Sequence, residues 1–140
     1  MIVYEATKEE FLKDVFDDEL TINIINNFNK KIGRVNEREV RSWDNSMQYM
    51  YRVLMDLEIP NDSGVAIEFR IPYSSKRVDF LITGKNDDAT ESVVVVELKK
   101  QWDKVEKVEG KEAIVKTPMR HGMVETTHPS YQAWSYASLI

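Results

Sequence analysis

Four charged side chains interrupt apolar runs in the second half of this 140-residue chain. Glu97 and Lys99 close the run Val93-Val94-Val95-Val96-Glu97-Leu98-Lys99, Asp79 breaks Val78-Asp79-Phe80-Leu81-Ile82, and Glu68 lies within Val65-Ala66-Ile67-Glu68-Phe69. Residues two apart on a strand project from one face, so Glu97 and Lys99 share a side. A hairpin centred on Tyr73-Ser74 sets Ile71 opposite Lys76, Phe69 opposite Val78 and Glu68 opposite Asp79. Glu68, Asp79, Glu97 and Lys99 are thereby expected to converge on one polar site. Two like charges about 4 Å apart repel by roughly 4 kcal/mol at an effective dielectric near 20, so such a cluster stays ionised only beside cations. Lys99 supplies one positive charge and a hard divalent ion, Mg²⁺ or Mn²⁺, the rest. Mg²⁺ takes one or two carboxylates, a carbonyl such as that of Leu98, and waters. The chemistry expected is metal-assisted phosphodiester hydrolysis, with the ion activating water and offsetting charge on the phosphate. Glu68 has a competing reading, as the ion-pair partner of Arg70 or Lys99.

The elements that must position these residues follow from periodicity. Thr7-Lys8-Glu9-Glu10 has capping-box spacing. It predicts a short helix with Phe11, Leu12, Val15 and Phe16 on its apolar face. A second helix is expected over Leu20 to Lys31, stopped by Gly33, and a third from about Asn36 to Leu57. In the third, Val40, Trp43, Met47, Met50, Tyr51 and Leu54 recur at the spacing of one helical face and read as core. After Pro60 and Gly64 the period changes to two, giving strands at 65–71, 77–83 and 92–99. The four consecutive valines predict cover on both faces and hence a central strand. Weaker strand signals lie at 113–116 and 123–126, and Ser130 is a candidate N-cap for a helix over 130–140. The order is that of one layered α/β or α+β domain.

Asp79, then Glu97-Leu98-Lys99 at the end of a valine-rich strand, then a helix holding Gln132-Ala133-Trp134-Ser135-Tyr136, resembles the PD-(D/E)XK nuclease superfamily, in its RecB-type branch. From Ser74 to Tyr136 the chain is similar to the N-terminal nuclease-like region of bacterial helicase-like P-loop ATPases. The resemblance implies a restriction-endonuclease-like core: a central mixed sheet flanked by helices, with the helical segment 1–60 in front. It implies cleavage of DNA, with RNA as the lesser alternative. By the same resemblance Asp79 and Glu97 are expected to hold the metal with Glu68 completing the acidic set, Lys99 to orient water, and Gln132 and Tyr136 to position water or backbone. Val78 stands where the superfamily has Pro, 32 residues separate Lys99 from Gln132, and no further strand or GKS/GKT loop follows. The chain is therefore expected to be the N-terminal fragment of a longer protein whose C-terminal part is a P-loop ATPase or helicase.

Composition narrows the field. With no cysteine, disulfides, thiolate zinc sites and cysteine nucleophiles are excluded. Two histidines without ligand spacing make no zinc site. The N-terminus lacks a signal-peptide pattern and no apolar run reaches a membrane span, so a cytoplasmic location is expected. A net charge of -5 argues against a passive nucleic-acid module. Residues 1–60 carry 8 basic and 12 acidic side chains and residues 61–140 carry 11 and 12, so a polyanion is better received by the second half. Lys76, Arg77 and Lys100 are the candidate phosphate contacts there. His128 reads equally as a phosphate or base contact and as a structural turn residue; His121 reads as exposed. Trp102 and Trp134 are candidates for base stacking, with core packing the simpler reading for Trp134. Residues 103–112 read as a wet surface. Two rival functions remain: a catalytically inactive nucleic-acid-binding or docking domain, and a protein-interaction module serving an ATPase.

Overall fold

The computed structural model describes residues 1–99, 104, 106–112, 114–119 and 122–140. Its elements run β1 (Tyr4–Thr7), α1 (Lys8–Phe16), α2 (Leu20–Lys31), α3 (Glu37–Leu54), β2 (Gly64–Arg70), β3 (Arg77–Lys85), β4 (Glu91–Val96), β5 (Glu106–Lys107), β6 (Ile114–Met119), β7 (Gly122–Thr127) and α4 (Pro129–Ala137). The architecture is mixed α/β. A four-stranded sheet has the order β1-β2-β3-β4 and a smaller one the order β5-β6-β7. Every strand pairing described is antiparallel, so the expected mixed sheet is corrected. Among the described residues no helix is long and apolar enough to cross a membrane.

Local signals set the helix boundaries. The Thr7 Oγ1 accepts from the Glu10 N–H at 3.2 Å and Glu10 Oε2 accepts from the Thr7 N–H at 2.8 Å, closing the capping box. Asn36 caps α3 through the N–H groups of Arg38 and Glu39. Trp43, Met47, Met50 and Leu54 form its buried stripe. The helix stops at Leu54 rather than Leu57, which is fully exposed. Phe16, expected on the apolar face of α1, also faces water. His128 rather than Ser130 caps α4, its Nδ1 accepting from the Ser130 N–H at 3.0 Å.

Two corrections concern the sheet. Strand β1 lies directly before the capping box, in a stretch read only as a lead-in to α1. It covers the free edge of β2, pairing Tyr4 with Ile67 and Ala6 with Val65. Strand β4, expected in the centre, is an edge, and Val93 and Val94 are about half exposed. It also ends at Val96, so Glu97–Lys99 form the segment just beyond it.

The main core lies between the helices and one face of the sheet. Phe11, Ile24, Leu54, Ile67 and Phe80 are fully buried, with the Phe11 and Phe80 rings edge to face at 5.5 Å. A smaller cluster on the opposite face joins Ala66, Ile71, Val78 and Leu81, with Tyr136 of α4 against it. One buried cation fastens the helical layer. Lys8 is 2% exposed and its Nζ donates to the carbonyls of Asp56 at 2.7 Å and Ile59 at 2.6 Å. Lys8→Met keeps the apolar stem but strips the Ile59 carbonyl of its ammonium donor and leaves that of Asp56 with the Ile59 N–H alone, so it should cost about 2 kcal/mol in urea unfolding.

Candidate active site

The sheet changes phase at the level of the two central carboxylates. Val65, Ile67, Phe80 and Ile82 face the helical layer, whereas Ala66 and Leu81 face the opposite side. Past Glu68 and Asp79 the assignment inverts, and Phe69 and Val78 join the second cluster. The ladder pairs Ile67 with Phe80 and Phe69 with Val78 but skips the Glu68–Asp79 rung. Register is therefore as the hairpin spacing predicts. The interruption sits at Glu68, whose φ of 55° is left-handed and costly for a residue with a Cβ. It directs the Glu68 carboxylate toward α3, where Oε1 accepts from Trp43 Nε1 at 3.1 Å. Glu68, Asp79 and Leu98 together with Ser42, Trp43 and Ser46 line a cleft of about 130 Å³. A larger cleft of about 550 Å³, lined by Gly64, Thr83, Lys85 and Glu91 among others, holds none of the candidate residues. The smaller one carries the strained and perturbed groups that mark functional sites.

Each carboxylate has a distinct environment. Glu68 Oε2 takes Arg77 Nη1 at 3.0 Å, and Arg77 Nη2 reaches Glu39 Oε1 at 3.3 Å. Asp79 Oδ2 accepts the Leu98 N–H at 2.9 Å, tying β3 to the segment after β4. Glu97 Oε2 accepts from Gln132 Nε2 at 3.1 Å, and the same amide donates to the Tyr136 hydroxyl at 3.0 Å. Glu97 Oε1 is buried without a hydrogen-bond partner. Burial, then the negative charges of Asp79 and Glu68, push the Glu97 carboxyl from an ordinary 4.5 up to about 8. The Asp79 amide moderates this push but makes no well-formed hydrogen bond to Oε1. Burial also raises Asp79, opposed by the Leu98 N–H and Arg77, and raises Glu68, opposed by Trp43 and Arg77. The dominant cause throughout is desolvation of charge.

The structure thus brings Asp79, Glu97, Gln132 and Tyr136 together, the last two four residues apart on one face of α4. It places the other candidates differently. Glu68 is an electrostatic neighbour, but both its oxygens are engaged, and its partner is Arg77 rather than Arg70 or Lys99. Arg77 turns inward over the Phe28 ring, 6.0 Å from its centroid. Lys76 holds its Nζ 5.4 Å from the Tyr136 ring centroid, and Lys99 is half-buried without an ion pair among the described residues. Lys100, Trp102 and His121 lie outside the described residues. Trp134 is not core; it is 64% exposed. Trp43 and Glu39 are members the sequence reading missed. Trp43 shows the periodicity of a core residue, which it also is, and nothing in that periodicity reports where its indole N–H points.

Among the described residues no three Asp, Glu, His or Cys side chains form a metal-binding group, so the expected set of Glu68, Asp79 and Glu97 does not assemble as one. Asp79 and Glu97 with the Leu98 carbonyl nonetheless fit a hard divalent ion, which commonly uses one or two carboxylates. The buried Glu97 Oε1 has the lone pairs to meet it, and a carboxyl pushed to about 8 by burial first and by the charges of Asp79 and Glu68 second is one that a cation relieves. No protein-family model, curated protein or solved structure matches the chain.

Proposed function

We propose that this chain is a metal-dependent nuclease domain of the restriction-endonuclease-like type, hydrolysing phosphodiester bonds in DNA, with RNA as the lesser alternative. The observation that carries the reading is the buried, partnerless Glu97 Oε1 beside Asp79, with Gln132 and Tyr136 bonded behind it. The antiparallel run β2-β3-β4, with Asp79 on its second strand, Glu97 just past its third and α4 following, supports the resemblance drawn from the sequence. Asp79, Glu97 and the Leu98 carbonyl would hold Mg²⁺ or Mn²⁺. When bound, such an ion supplies positive charge against the developing phosphate charge and acidifies water. Gln132 fixes the Glu97 carboxylate and is itself fixed by Tyr136, so the acid meets its ligand in one orientation. Glu68 acts as a structural anchor, held by Trp43 and Arg77, whose negative charge raises the site's demand for a cation. Lys99 remains the candidate for orienting water and stabilising phosphate.

Calorimetric titration with Mg²⁺ and Mn²⁺ is the direct test, because it needs neither substrate nor partner domain. The wild type should bind and Asp79→Asn should not; equal heats from both would overturn the reading. With labelled DNA, Lys99→Ala should lose cleavage, and Gln132→Ala should lower it by about tenfold to a hundredfold, the usual cost of losing a group that orients a metal ligand. The second reading, a docking domain without chemistry, draws on Lys99, which forms no ion pair with the carboxylates among the described residues. It predicts nucleic-acid binding that is indifferent to metal and to Lys99→Ala.

A further inference from the structure

Arg70 on β2 stands directly opposite Arg77 on β3, and residues so paired project from the same side of the sheet. Like charges in that position repel, so each needs an anion. Arg77 has Glu68 and Glu39. Arg70 forms no ion pair among the described residues, and its Nε is buried without a hydrogen-bond partner. The side chain is only partly buried, so its head group is open to an acceptor from outside. Its surroundings are basic. Helix α2 ends at the lead into β1, where Lys31 Nζ donates to the Ile2 carbonyl at 2.6 Å, and α3 begins over β3, where Glu39 accepts from Arg77 at 3.3 Å. The Arg70 N–H donates to the Met1 carbonyl at 2.8 Å, so Arg70 lies between these two points, beneath the connection 32–36. Segments 30–41 and 70–77, which meet here, hold eight basic and two acidic side chains, against 11 and 22 in the rest of the chain. Both acids are already engaged, Glu39 by Arg77 and Glu37 by Arg41. Arg38 sits one turn before Ser42 of the carboxylate cleft and, like Arg34, is exposed without a carboxylate partner among the described residues. The count by halves hides this corner, because residues 1–29 hold seven acids and two bases.

We propose that Arg70, flanked by Arg34 and Arg38, binds a backbone phosphate of the nucleic-acid strand that enters this site. The inference deepens the hydrolase reading and rests on it for what happens to the bound strand. A guanidinium fork matches two phosphate oxygens, and a polyanion is drawn to a corner of concentrated positive charge on an otherwise acidic chain. One strand across and two residues along β3 separate Arg70 from Asp79, about 8 Å between backbones, or about two nucleotide steps. A phosphate held at Arg70 therefore places a neighbouring one at the carboxylates. The competing occupant is the acidic remainder of a second copy. Its carboxylates would neutralise the corner equally well, but they give it no reason to adjoin the cleft.

The test reads binding without metal, in chelator, so that cleavage plays no part. Anisotropy of a labelled oligothymidylate is followed across a salt series for wild type, Arg70→Met, Arg70→Lys, Arg38→Gln and Arg52→Gln. Arg70→Met should weaken binding by about tenfold and reduce the slope of log affinity against log salt by about 0.7, the share of one phosphate on a single strand. Its urea midpoint should match or exceed that of the wild type, because the apolar stem is kept and the charge opposite Arg77 is gone. Arg70→Lys should restore the slope but only part of the affinity, since an ammonium lacks the fork. Arg38→Gln, at an exposed position, should lose the same slope with an unchanged midpoint, and Arg52→Gln, in the last turn of α3, should change neither. No salt-sensitive binding by the wild type, or an unchanged slope in Arg70→Met, would overturn the proposal. So would an Arg70→Met midpoint well below wild type, polyglutamate that competes as well as DNA, or a dimer that Arg70→Met dissociates in sedimentation. Binding that depends on Arg70, with no divalent-ion uptake by the carboxylates, would leave the phosphate contact standing and remove the hydrolase reading. Divalent-ion uptake with binding indifferent to Arg70 would do the reverse.

Discussion

Glu97→Gln should abolish divalent-ion-dependent cleavage, by about a thousandfold or more, while making the metal-free protein more stable above neutral pH. The amide keeps the size of the side chain and can still accept from Gln132, so the fold is retained; what disappears is the charge. The stability gain follows from linkage. The folded-state value of Glu97, about 8, lies above its ordinary 4.5, so folding favours the protonated acid. That contribution is complete below about pH 4.5 and is lost as pH rises through about 8. At about 1.4 kcal/mol for each pH unit between the two values, the loss amounts to several kcal/mol, shared among the coupled carboxyls of Glu97, Asp79 and Glu68. Urea midpoints of the wild type without metal should therefore fall between about pH 5 and pH 9, and Mg²⁺ should restore them. The Glu97→Gln profile should be flatter and indifferent to Mg²⁺, about 2 kcal/mol above the wild type at the alkaline end. A variant less stable than wild type at every pH would show that the site is not a crowded set of carboxylates relieved by a cation.

Arg77→Ala should destabilise the protein by about 3 kcal/mol, with little direct effect on nucleic-acid affinity. The guanidinium bridges Glu68 and Glu39 and covers the Phe28 ring, so its removal strands a buried carboxylate and opens a gap against α2. Breaking a buried pair from one side commonly costs about 3–5 kcal/mol, and the lower figure applies because the arginine side chain is 35% exposed and partly screened. Glu68 already has a raised value because burial outweighs the help of Trp43 and Arg77, and losing Arg77 lifts it further. A raised acid loses stability as pH rises, so the deficit of Arg77→Ala should be larger at pH 8 than at pH 5. Lys76→Ala, at an exposed position two residues from the turn, should stay within about 0.5 kcal/mol of wild type. Thermal or urea unfolding at the two pH values, alongside single-strand binding, separates the roles. An Arg77→Ala protein of normal stability that binds nucleic acid poorly would return this residue to the phosphate track first expected of it.

Much of the site could be read before any coordinates because its spacing is local or pairwise. Glu97 follows a strand whose valines admit no other reading, and Gln132 and Tyr136 are held on one helical face by the 3.6-residue turn. The Phe69–Val78 register follows from hairpin length and the apolar alternation on its two arms. The Thr7 capping box and the Asn36 cap depend on bonds spanning at most three residues, so they too are visible in the string of residues. These features are determined by the sequence alone because the partners that enforce them are neighbours along the chain.

Other features required the tertiary structure, since their partners are remote. The valines of β4 carry the same pattern at an edge as in a centre, and only the sheet order distinguishes the two. Strand β1 exists because β2, some 60 residues on, offers it an open edge. Glu68 enters the left-handed region because Trp43 and Arg77 hold its carboxylate in a buried cleft, and such compensation for strain cannot be seen in a run of five residues. The same holds for Arg77, turned inward by Glu39 and Phe28, and for Trp134, left in water because no element of the described fold packs over it. Charge and aromatic area are written in the residues; whether they face a partner or solvent depends on which distant surfaces fold against them.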